Sequence, residues 1–250
     1  MRAVAIIPAR FGSTRFPGKM LHLIAGKPLI QWVYEGVAAC RQFASVHIAT
    51  DDSQILEAAQ AFGAEAILTN PNHPSGTDRV AEAARNLTAD WIVNVQGDEP
   101  LIGPEVLQPF LDHIASLPPE LGIATMARHL TDPTDMADLN LVKVVTSLSG
   151  RALYFSRLPI PCYRDTPTTN SHWHHLGIYA YRPATLARLV TLPPSPLELA
   201  EKLEQLRALQ NDIAIQVVPT TFQSIGVDTP EDALRVAPLL RARALSPNPS

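Results

Sequence analysis

The sequence predicts an α/β protein with a mostly parallel central sheet flanked by helices. Short apolar segments with strand character alternate with amphipathic helical segments along the first half of the chain. The predicted strands are apolar throughout rather than alternating, which is typical of a sheet that helices cover on both faces. The length of 250 residues and the hydrophobic content of 46% are sufficient for a substantial core.

The first half of the chain predicts four strands, each followed by a helix. The strands span 3–8, 45–50, 65–69 and 90–96. The helices span 28–40, 51–62 and 78–87, the last capped by Thr77, and a fourth helix begins at Pro104. This spacing is typical of right-handed βαβ units, which build a parallel sheet.

The second half is less regular, and a long loop is expected over 156–173. Strands are predicted over 121–128, 141–147, 151–155, 174–182 and 213–218, and helices over 183–191, 197–209 and 230–244. We expect a single domain over 1–250 with an inserted subregion at about 125–210. Residues 245–250 have the composition of a flexible tail.

Composition excludes several classes of protein. Lys+Arg 20 against Asp+Glu 24 gives a net charge of −4, which argues against a general nucleic-acid binder. No apolar run approaches the roughly 18 residues of a membrane span, and no secretory signal is evident. Cys40 and Cys162 form no CxxC motif and favour a reducing compartment, so a cytoplasmic location is expected.

Positive charge is concentrated at the start of the chain. Residues 1–34 contain five Lys or Arg and no acid, and the first acid is Glu35. Three of these cations, Arg10, Arg15 and Lys19, lie in the segment PARFGSTRFPGK, which follows the first strand. Ligands of parallel sheets bind beyond the carboxyl ends of strands, and glycines allow main-chain N–H groups to approach a phosphate. The segment therefore predicts a phosphate-binding loop.

Two familiar phosphate motifs do not fit this loop. A Walker loop has four residues between its first glycine and its Gly-Lys pair, whereas Gly12 and Gly18 enclose five, and Met20 follows Lys19. The dinucleotide fingerprint GxGxxG is absent from the sequence. A nucleotide loop of another kind is the remaining prediction, with a Gly-containing turn carrying surface cations as the alternative.

Carboxylates follow the fourth strand and precede the last helix. Asp98 and Glu99 stand in VNVQGDEPLI, directly after the strand, where an aspartate is well placed to hold Mg²⁺. Asp228, in GVDTPED, is a second candidate ligand. Its alternative role is to cap the last helix, with Pro230 in the first turn.

Other polar groups carry weaker signals. The segment SGTDR at 75–79 suits ribose or base contacts, or is simply the start of a capped helix. The cluster His172, His174 and His175 suggests zinc only weakly, because neighbouring residues of a strand point to opposite faces. The glutamates of the predicted helix 197–209 are most simply solvated surface charges.

Seven segments taken in order give a specific resemblance. They are IIPARFGSTRFPGK, HPSGTDR, VNVQGDEP, LVKVV with ALYFSR, HLGIYAYR, SPLELAEKLEQLRAL and GVDTPEDALRV. Across residues 3 to about 237 the chain resembles the 3-deoxy-manno-octulosonate cytidylyltransferase (CMP-Kdo synthetase) family. The resemblance implies a nucleotide-diphospho-sugar transferase-like fold, an inserted sugar-binding and dimerisation subregion, and a homodimer.

The resemblance also implies a reaction and a set of site residues. CTP and Kdo would give CMP-Kdo and pyrophosphate for lipopolysaccharide assembly, the anomeric hydroxyl of Kdo attacking the α-phosphate. The implied catalytic residues are Arg10, Lys19 and Asp98; the nucleotide-binding residues are Arg10, Ser13, Lys19, Ser75, Gly76 and Arg79; the ligands of Mg²⁺ are Asp98 and Asp228. The implied sugar-binding residues are Gln96, Arg157, His175, Tyr179, Glu204 and Gln205.

Three alternatives remain open at this point. An enzyme that makes CMP-sialic acid or CMP-8-amino-Kdo would use the same chemistry with a different sugar pocket. A glycosyltransferase would favour a DxD metal motif, where this chain has Gly97-Asp98-Glu99. A nucleotide-sensing module would need neither two separate carboxylates nor Lys19.

Overall fold

The computed structural model describes residues 1–12, 15–165 and 172–245. The strands are β1 Ala3–Ala9, β2 Leu23–Ile24, β3 Lys27–Pro28, β4 Phe43–Thr50, β5 Glu65–Leu68, β6 Trp91–Asn94, β7 Ile123–His129, β8 Lys143–Thr146, β9 Ala152–Ser156, β10 Trp173–Tyr181 and β11 Ile215–Thr220. The helices are α1 Leu29–Ala38, α2 Ser53–Ala61, α3 Gly76–Ala84, α4 Pro104–Ala115, α5 Pro133–Ala137, α6 Pro183–Leu189, α7 Pro196–Glu201, α8 Gln205–Gln210 and α9 Pro230–Leu245. A 3₁₀ turn spans Lys19–Leu21.

The chain forms two compact units. Unit 1 comprises Met1–Leu111 and the C-terminal segment that begins at Ser224, and unit 2 comprises Asp112–Gln223. The α/β fold class with a mostly parallel sheet and flanking helices is confirmed. Within the described parts of the chain, no helix is both long and apolar enough to cross a bilayer.

Unit 1 is built on a parallel sheet with the strand order β6-β1-β4-β5. All seven residues of β1 are buried, as expected for a central strand with helices on both faces. Because the strands are parallel, their carboxyl ends lie along one edge of the sheet, and the loops after β1 and β6 both leave from this edge.

A second apolar cluster in unit 1 joins the first loop to the end of the chain. Its buried members are Phe16, Ile24, Leu29, Trp32, Val227, Ala233, Val236 and Leu240. They come from the loop after β1, the β2–β3 hairpin, α1 and α9. This packing places the segment just before α9 beside the loop that carries Lys19.

Unit 2 contains a mixed sheet. Its order is β11-β7-β10, with β8 paired to β10 and β9 paired to β8. The β7–β11 pair is parallel, and the other three pairs are antiparallel. The ladder between β7 and β10 shifts register between Leu176 and Tyr179, so a bulge interrupts β10.

Two predicted helices differ from those observed. The cap of α3 is Ser75 rather than Thr77, because the Ser75 side chain accepts a hydrogen bond from the main chain of Asp78. The predicted helix 197–209 is two helices, because Lys202 adopts left-handed geometry with φ 55° at the end of α7. The β2–β3 hairpin and the short helix α5 were not predicted, since neither has enough residues for a clear periodicity.

Candidate active site

A cavity of about 520 Å³ opens in unit 1 at the carboxyl edge of the parallel sheet. Its lining includes Arg10, Arg15, Lys19, Ser75, Gly76, Arg79, Gln96, Asp98 and Asp228. Unit 1 therefore brings together eight of the residues predicted for the site, namely all of these except Arg15. Ser13 lies outside the described residues. The lining carries four Lys or Arg side chains and two carboxylates, which suits an anionic ligand with a bound cation.

The loop after β1 is held by its own turn and by an apolar anchor. Gly18 has φ 69°, a left-handed conformation that glycine adopts without strain, and the 3₁₀ turn begins immediately after it. The Phe16 ring is nearly buried and packs edge-on against His22. These contacts fix the main chain that carries Lys19 into the cavity.

The ammonium of Lys19 connects the two predicted metal ligands. Its Nζ donates to Asp98 Oδ2 at 2.8 Å, to Asp228 Oδ1 at 2.9 Å and to the carbonyl of Val227 at 2.9 Å. Burial alone would lower the pKa of Lys19, but the two carboxylates outweigh burial and raise the pKa above its ordinary value. Lys19 is therefore a permanent cation with all three donors in use.

Asp228 does not cap α9. The hydroxyl of Thr229 caps the helix, since it accepts from the main-chain N–H of Asp232. The Asp232 carboxylate accepts in return from the main-chain N–H groups of Asp228 and Thr229 and from the Thr229 hydroxyl. The Asp228 side chain instead accepts hydrogen bonds from Lys19 and, at 2.9 Å, from Arg15 Nη2. The predicted role as a cap is therefore wrong, and the carboxylate faces the cavity, where its role as a ligand of Mg²⁺ stays a prediction.

The turn after β6 is tightly packed around Asp98. A Cβ atom on Gly97 would lie 2.8 Å from the carbonyl oxygen of Pro8, so only glycine fits between β1 and this turn. The Glu99 side chain accepts a hydrogen bond from the hydroxyl of Ser224. Burial raises the pKa of Glu99 to about 7, the Ser224 bond opposes this shift, and the charges of Asp98 and Asp228 add to it.

Arg79 is a buried cation in the lining of the cavity. Its guanidinium donates to Asp51 Oδ2 at 2.9 Å and to Thr69 Oγ1 at 2.5 Å, and 5% of its side chain is exposed. This pairing holds Arg79 in position from the end of β4. His73, which also lines the cavity, is bonded to Glu82.

The remaining predicted sugar-binding residues lie in unit 2. His175 and Tyr179 lie on β10 with their ring centroids 5.3 Å apart. Burial lowers the pKa of His175 to about 3, so its ring is neutral. Burial raises the pKa of the Tyr179 hydroxyl, and the nearby charges of Tyr181 and Glu204 act in the same direction. His175, Tyr179 and Glu204 therefore form one group.

Arg157 is bound to the end of α7. Its guanidinium donates to the main-chain carbonyls of Glu201 at 2.8 Å, Leu139 at 3.1 Å and Lys202 at 3.4 Å. In return, the Glu201 carboxylate accepts from the Arg157 N–H at 3.0 Å and from the Ser156 hydroxyl at 2.7 Å. This clasp, formed by Ser156, Arg157 and Glu201, holds the turn that leads to Glu204 and Gln205.

Comparison with known proteins agrees with this geometry. The family described as Cytidylyltransferase matches residues 4–215. The 3-deoxy-manno-octulosonate cytidylyltransferase of Solibacter usitatus (strain Ellin6076) is 47% identical over 248 residues, covering 98% of this chain and 96% of that protein. The chain belongs to the 3-deoxy-manno-octulosonate cytidylyltransferase family.

Further members of the family extend the similarity. The enzyme of the same name from Geobacter sulfurreducens (strain ATCC 51573 / DSM 12127 / PCA) is 46% identical, covering 96% of this chain and all of that protein. A solved structure of CMP:2-keto-3-deoxy-manno-octonic acid synthetase complexed with CTP superposes with a TM-score of 0.92. It is 41% identical, covering 97% of this chain and 100% of that one.

Sequence reasoning missed several residues that support the family's site. Glu99 and Ser224 join the two segments that carry Asp98 and Asp228, and Asp51 holds Arg79. Glu201 was interpreted as a solvated charge, yet it binds Ser156 and Arg157. The position of Glu99 beside Asp98 is the one signal that was available, since the other partners meet only in the folded chain.

Proposed function

We propose that this chain is a cytidylyltransferase that converts CTP and Kdo to CMP-Kdo and pyrophosphate, a step of lipopolysaccharide biosynthesis. The observation that carries the proposal is the contact of one buried ammonium, that of Lys19, with Asp98 and Asp228 in a cationic cavity. This constellation suits a triphosphate, because nucleotidyl transfer depends on positioning and on neutralisation of charge. The identification of CTP and Kdo as the substrates rests on the family to which the chain belongs.

Different residues of the cavity contact the triphosphate and the cytidine of the nucleotide. Lys19 and Arg10 neutralise charge on the triphosphate, and Lys19 stabilises the charge that develops on the departing pyrophosphate. Ser75, Gly76 and Arg79 hold the cytidine, with Arg79 kept in place by Asp51. Ser13 remains a proposed nucleotide contact.

Mg²⁺ is the proposed cofactor, and the oxygen donors of the cavity fit it. Asp98 and Asp228 both reach one cation in the structure, the Lys19 ammonium, and their side chains are 30% and 45% exposed. No group of three or more His, Cys, Asp or Glu within the described residues could hold a metal alone. Mg²⁺ commonly takes one or two carboxylates and completes its shell with phosphate and water oxygens. When bound, it would polarise the phosphates and the attacking hydroxyl.

Gln96, a proposed sugar-binding residue, lines the unit 1 cavity. The other proposed sugar-binding residues lie in unit 2 and are Arg157, His175, Tyr179, Glu204 and Gln205. His175 and Tyr179 are neutral at physiological pH, so they offer hydrogen bonds to sugar hydroxyls without a net charge. The three main-chain contacts of Arg157 mean that it holds the α7–α8 turn in addition to any contact with Kdo.

A homodimer and a cytoplasmic location are further parts of the proposal. The homodimer is proposed from the family resemblance alone. Sedimentation velocity tests this point, and a monomer at micromolar concentration would refute it. Within the described residues, Cys40 and Cys162 form no disulfide, which is consistent with a reducing compartment.

The activity is tested by release of pyrophosphate with each of the four NTPs, crossed with Kdo, 8-amino-Kdo and sialic acid. We expect turnover with CTP and Kdo in the presence of Mg²⁺. Preference for 8-amino-Kdo or sialic acid would replace the sugar assignment and leave the reaction class standing. No release with CTP and any of the three sugars would refute the proposed reaction.

A further inference from the structure

The sugar-binding group of unit 2 depends on an irregularity in β10. His175 pairs with Ala127 of β7, whereas Tyr179 pairs with Thr125, so four steps along β10 match two steps along β7. In a regular strand, residues four apart are separated by about 13 Å. The bulge instead brings the two rings to a centroid distance of 5.3 Å.

Thr125 of β7 lies opposite this bulge of β10. It is completely buried, and its hydroxyl oxygen is 2.8 Å from the carbonyl oxygen of Ile178 and 3.1 Å from that of Leu176. The same hydroxyl is 3.1 Å from Nε2 of His175. One side chain of β7 thus contacts the main chain of the bulge on both sides of Gly177 and also the imidazole.

The chemistry of these contacts fixes the proton on His175. A threonine hydroxyl has one hydrogen to donate, and a carbonyl oxygen can only accept. The contact with the Ile178 carbonyl is the shortest of the three, so we assign the hydrogen of the hydroxyl to it, and a lone pair of the hydroxyl is left to accept from the imidazole. The Nε2 atom of His175 then carries the hydrogen, and Nδ1 is the ring's hydrogen-bond acceptor.

We propose that Thr125 is a positioning residue of the sugar site: its hydroxyl holds the β10 bulge that joins His175 to Tyr179 and keeps His175 in the Nε2–H tautomer. The inference rests on the proposed role of these two rings in sugar binding. It predicts that loss of the hydroxyl impairs use of the sugar and not use of CTP, whose cavity is formed by residues of unit 1.

The test compares Thr125→Val, which removes the hydroxyl and keeps the branched shape, with Thr125→Ser, which keeps the hydroxyl. Leaving buried polar groups without partners is costly, so we expect Thr125→Val to raise the KM for Kdo roughly tenfold or more. The KM for CTP should stay within about twofold, and Thr125→Ser should restore most of the loss. Thr191→Val is the matched control, since it removes an exposed hydroxyl that donates to a carbonyl at 2.7 Å.

Nitrogen-15 NMR of histidine-labelled wild-type protein provides a second readout. The His175 signals, assigned by their absence from His175→Gln, should show the Nε2–H tautomer, and Thr125→Val should lose this preference. This measurement decides the wild-type tautomer even if Thr125→Val does not fold. The Nδ1–H tautomer in the wild type would overturn the proposal.

Three kinetic results would also overturn it. They are an unchanged KM for Kdo in Thr125→Val, an equal rise in both KM values, and a Thr125→Ser variant as impaired as Thr125→Val. Failure of the proposed reaction can be distinguished from these three results, because wild-type protein would then release no pyrophosphate with CTP and Kdo. The NMR measurement would still test the contact between Thr125 and His175 in that case.

Discussion

Replacement of Lys19 by methionine probes the centre of the cavity proposed to bind the nucleotide. The change removes a buried charge and three hydrogen bonds while keeping an unbranched side chain of similar length. Two acceptors bound by one tetrahedral ammonium stand roughly 4.7 Å apart, so the carboxylates of Asp98 and Asp228 would repel by about 3.5 kcal/mol at an effective dielectric constant of 20. Because both carboxylates are partly exposed, screening reduces the expected loss of stability to about 1–3 kcal/mol.

The pH dependence of this loss has a definite sign. In wild-type protein the pKa of Lys19 is raised, so its stabilising effect is complete below its unfolded value near 10.5 and is lost only as the pH rises through the folded value. In Lys19→Met, mutual repulsion raises the pKa of one carboxyl in the folded state, and that state then binds more protons. The stability difference from wild type should therefore be largest at pH 7–9 and shrink as the pH falls towards about 4.

Urea unfolding at several pH values measures this difference, and pyrophosphate release measures the effect on catalysis. We expect kcat/KM for CTP to fall on the order of 10²-fold or more, as for other groups that stabilise developing charge. Lys27→Met is the matched control, because Lys27 forms a half-exposed pair with Glu35 outside the cavity and should cost less than about 1 kcal/mol. A Lys19→Met variant with wild-type kcat/KM, or with wild-type stability at every pH, would refute this account of the site.

Three further predictions concern other parts of the molecule. Asp98→Asn should fold normally and lower turnover on the order of 10²-fold or more, and near-normal turnover at saturating Mg²⁺ would contradict its assignment as a metal ligand. Glu201→Gln weakens the hydrogen bonds of Glu201 with Ser156 and Arg157, so the KM for Kdo should rise while the KM for CTP stays constant. Equal rises of both KM values in steady-state assays would exclude a role of Glu201 that is specific to the sugar. Lys202→Gly relieves a left-handed residue and should raise the free energy of unfolding by about 1 kcal/mol, and a lower unfolding temperature would rule out strain at this position.

Elements that depend on local sequence patterns were predicted, whereas those that depend on contacts between distant residues were not. The alternating segments of the first half predicted the four strands of the parallel sheet and the helices α1 to α4, because the spacing of apolar residues reflects which side chains are buried. The prediction of one continuous helix over 197–209 was wrong, because the apolar pattern remains helical across Lys202. The left-handed turn at Lys202 is stabilised by contacts with Arg157, which is far away in the sequence. The division at residue 111 has no signal in composition.

The site residues show the same contrast. Because strand ends in a parallel sheet share one edge, the sequence predicted that the loop of Lys19 and the turn of Asp98 would both carry ligand-binding groups. It left the role of Asp228 open, since the cap and the cavity were equally compatible with GVDTPED. The structure excludes the cap, because Thr229 and Asp232 cap the helix while the Asp228 carboxylate binds Lys19; the role of Asp228 as a metal ligand stays a prediction.

By itself, the sequence determined the fold class, the position of the loop that carries Lys19 and the family, because these follow from local spacing and from segments read in order. Only the tertiary structure decided which side chains, distant in the sequence, form hydrogen bonds or ion pairs with each other. Lys19 meets Asp228 across 209 positions, and Thr125 meets His175 across 50. Such contacts arise when separate strands and loops pack together, and no local pattern encodes the distance between their side chains.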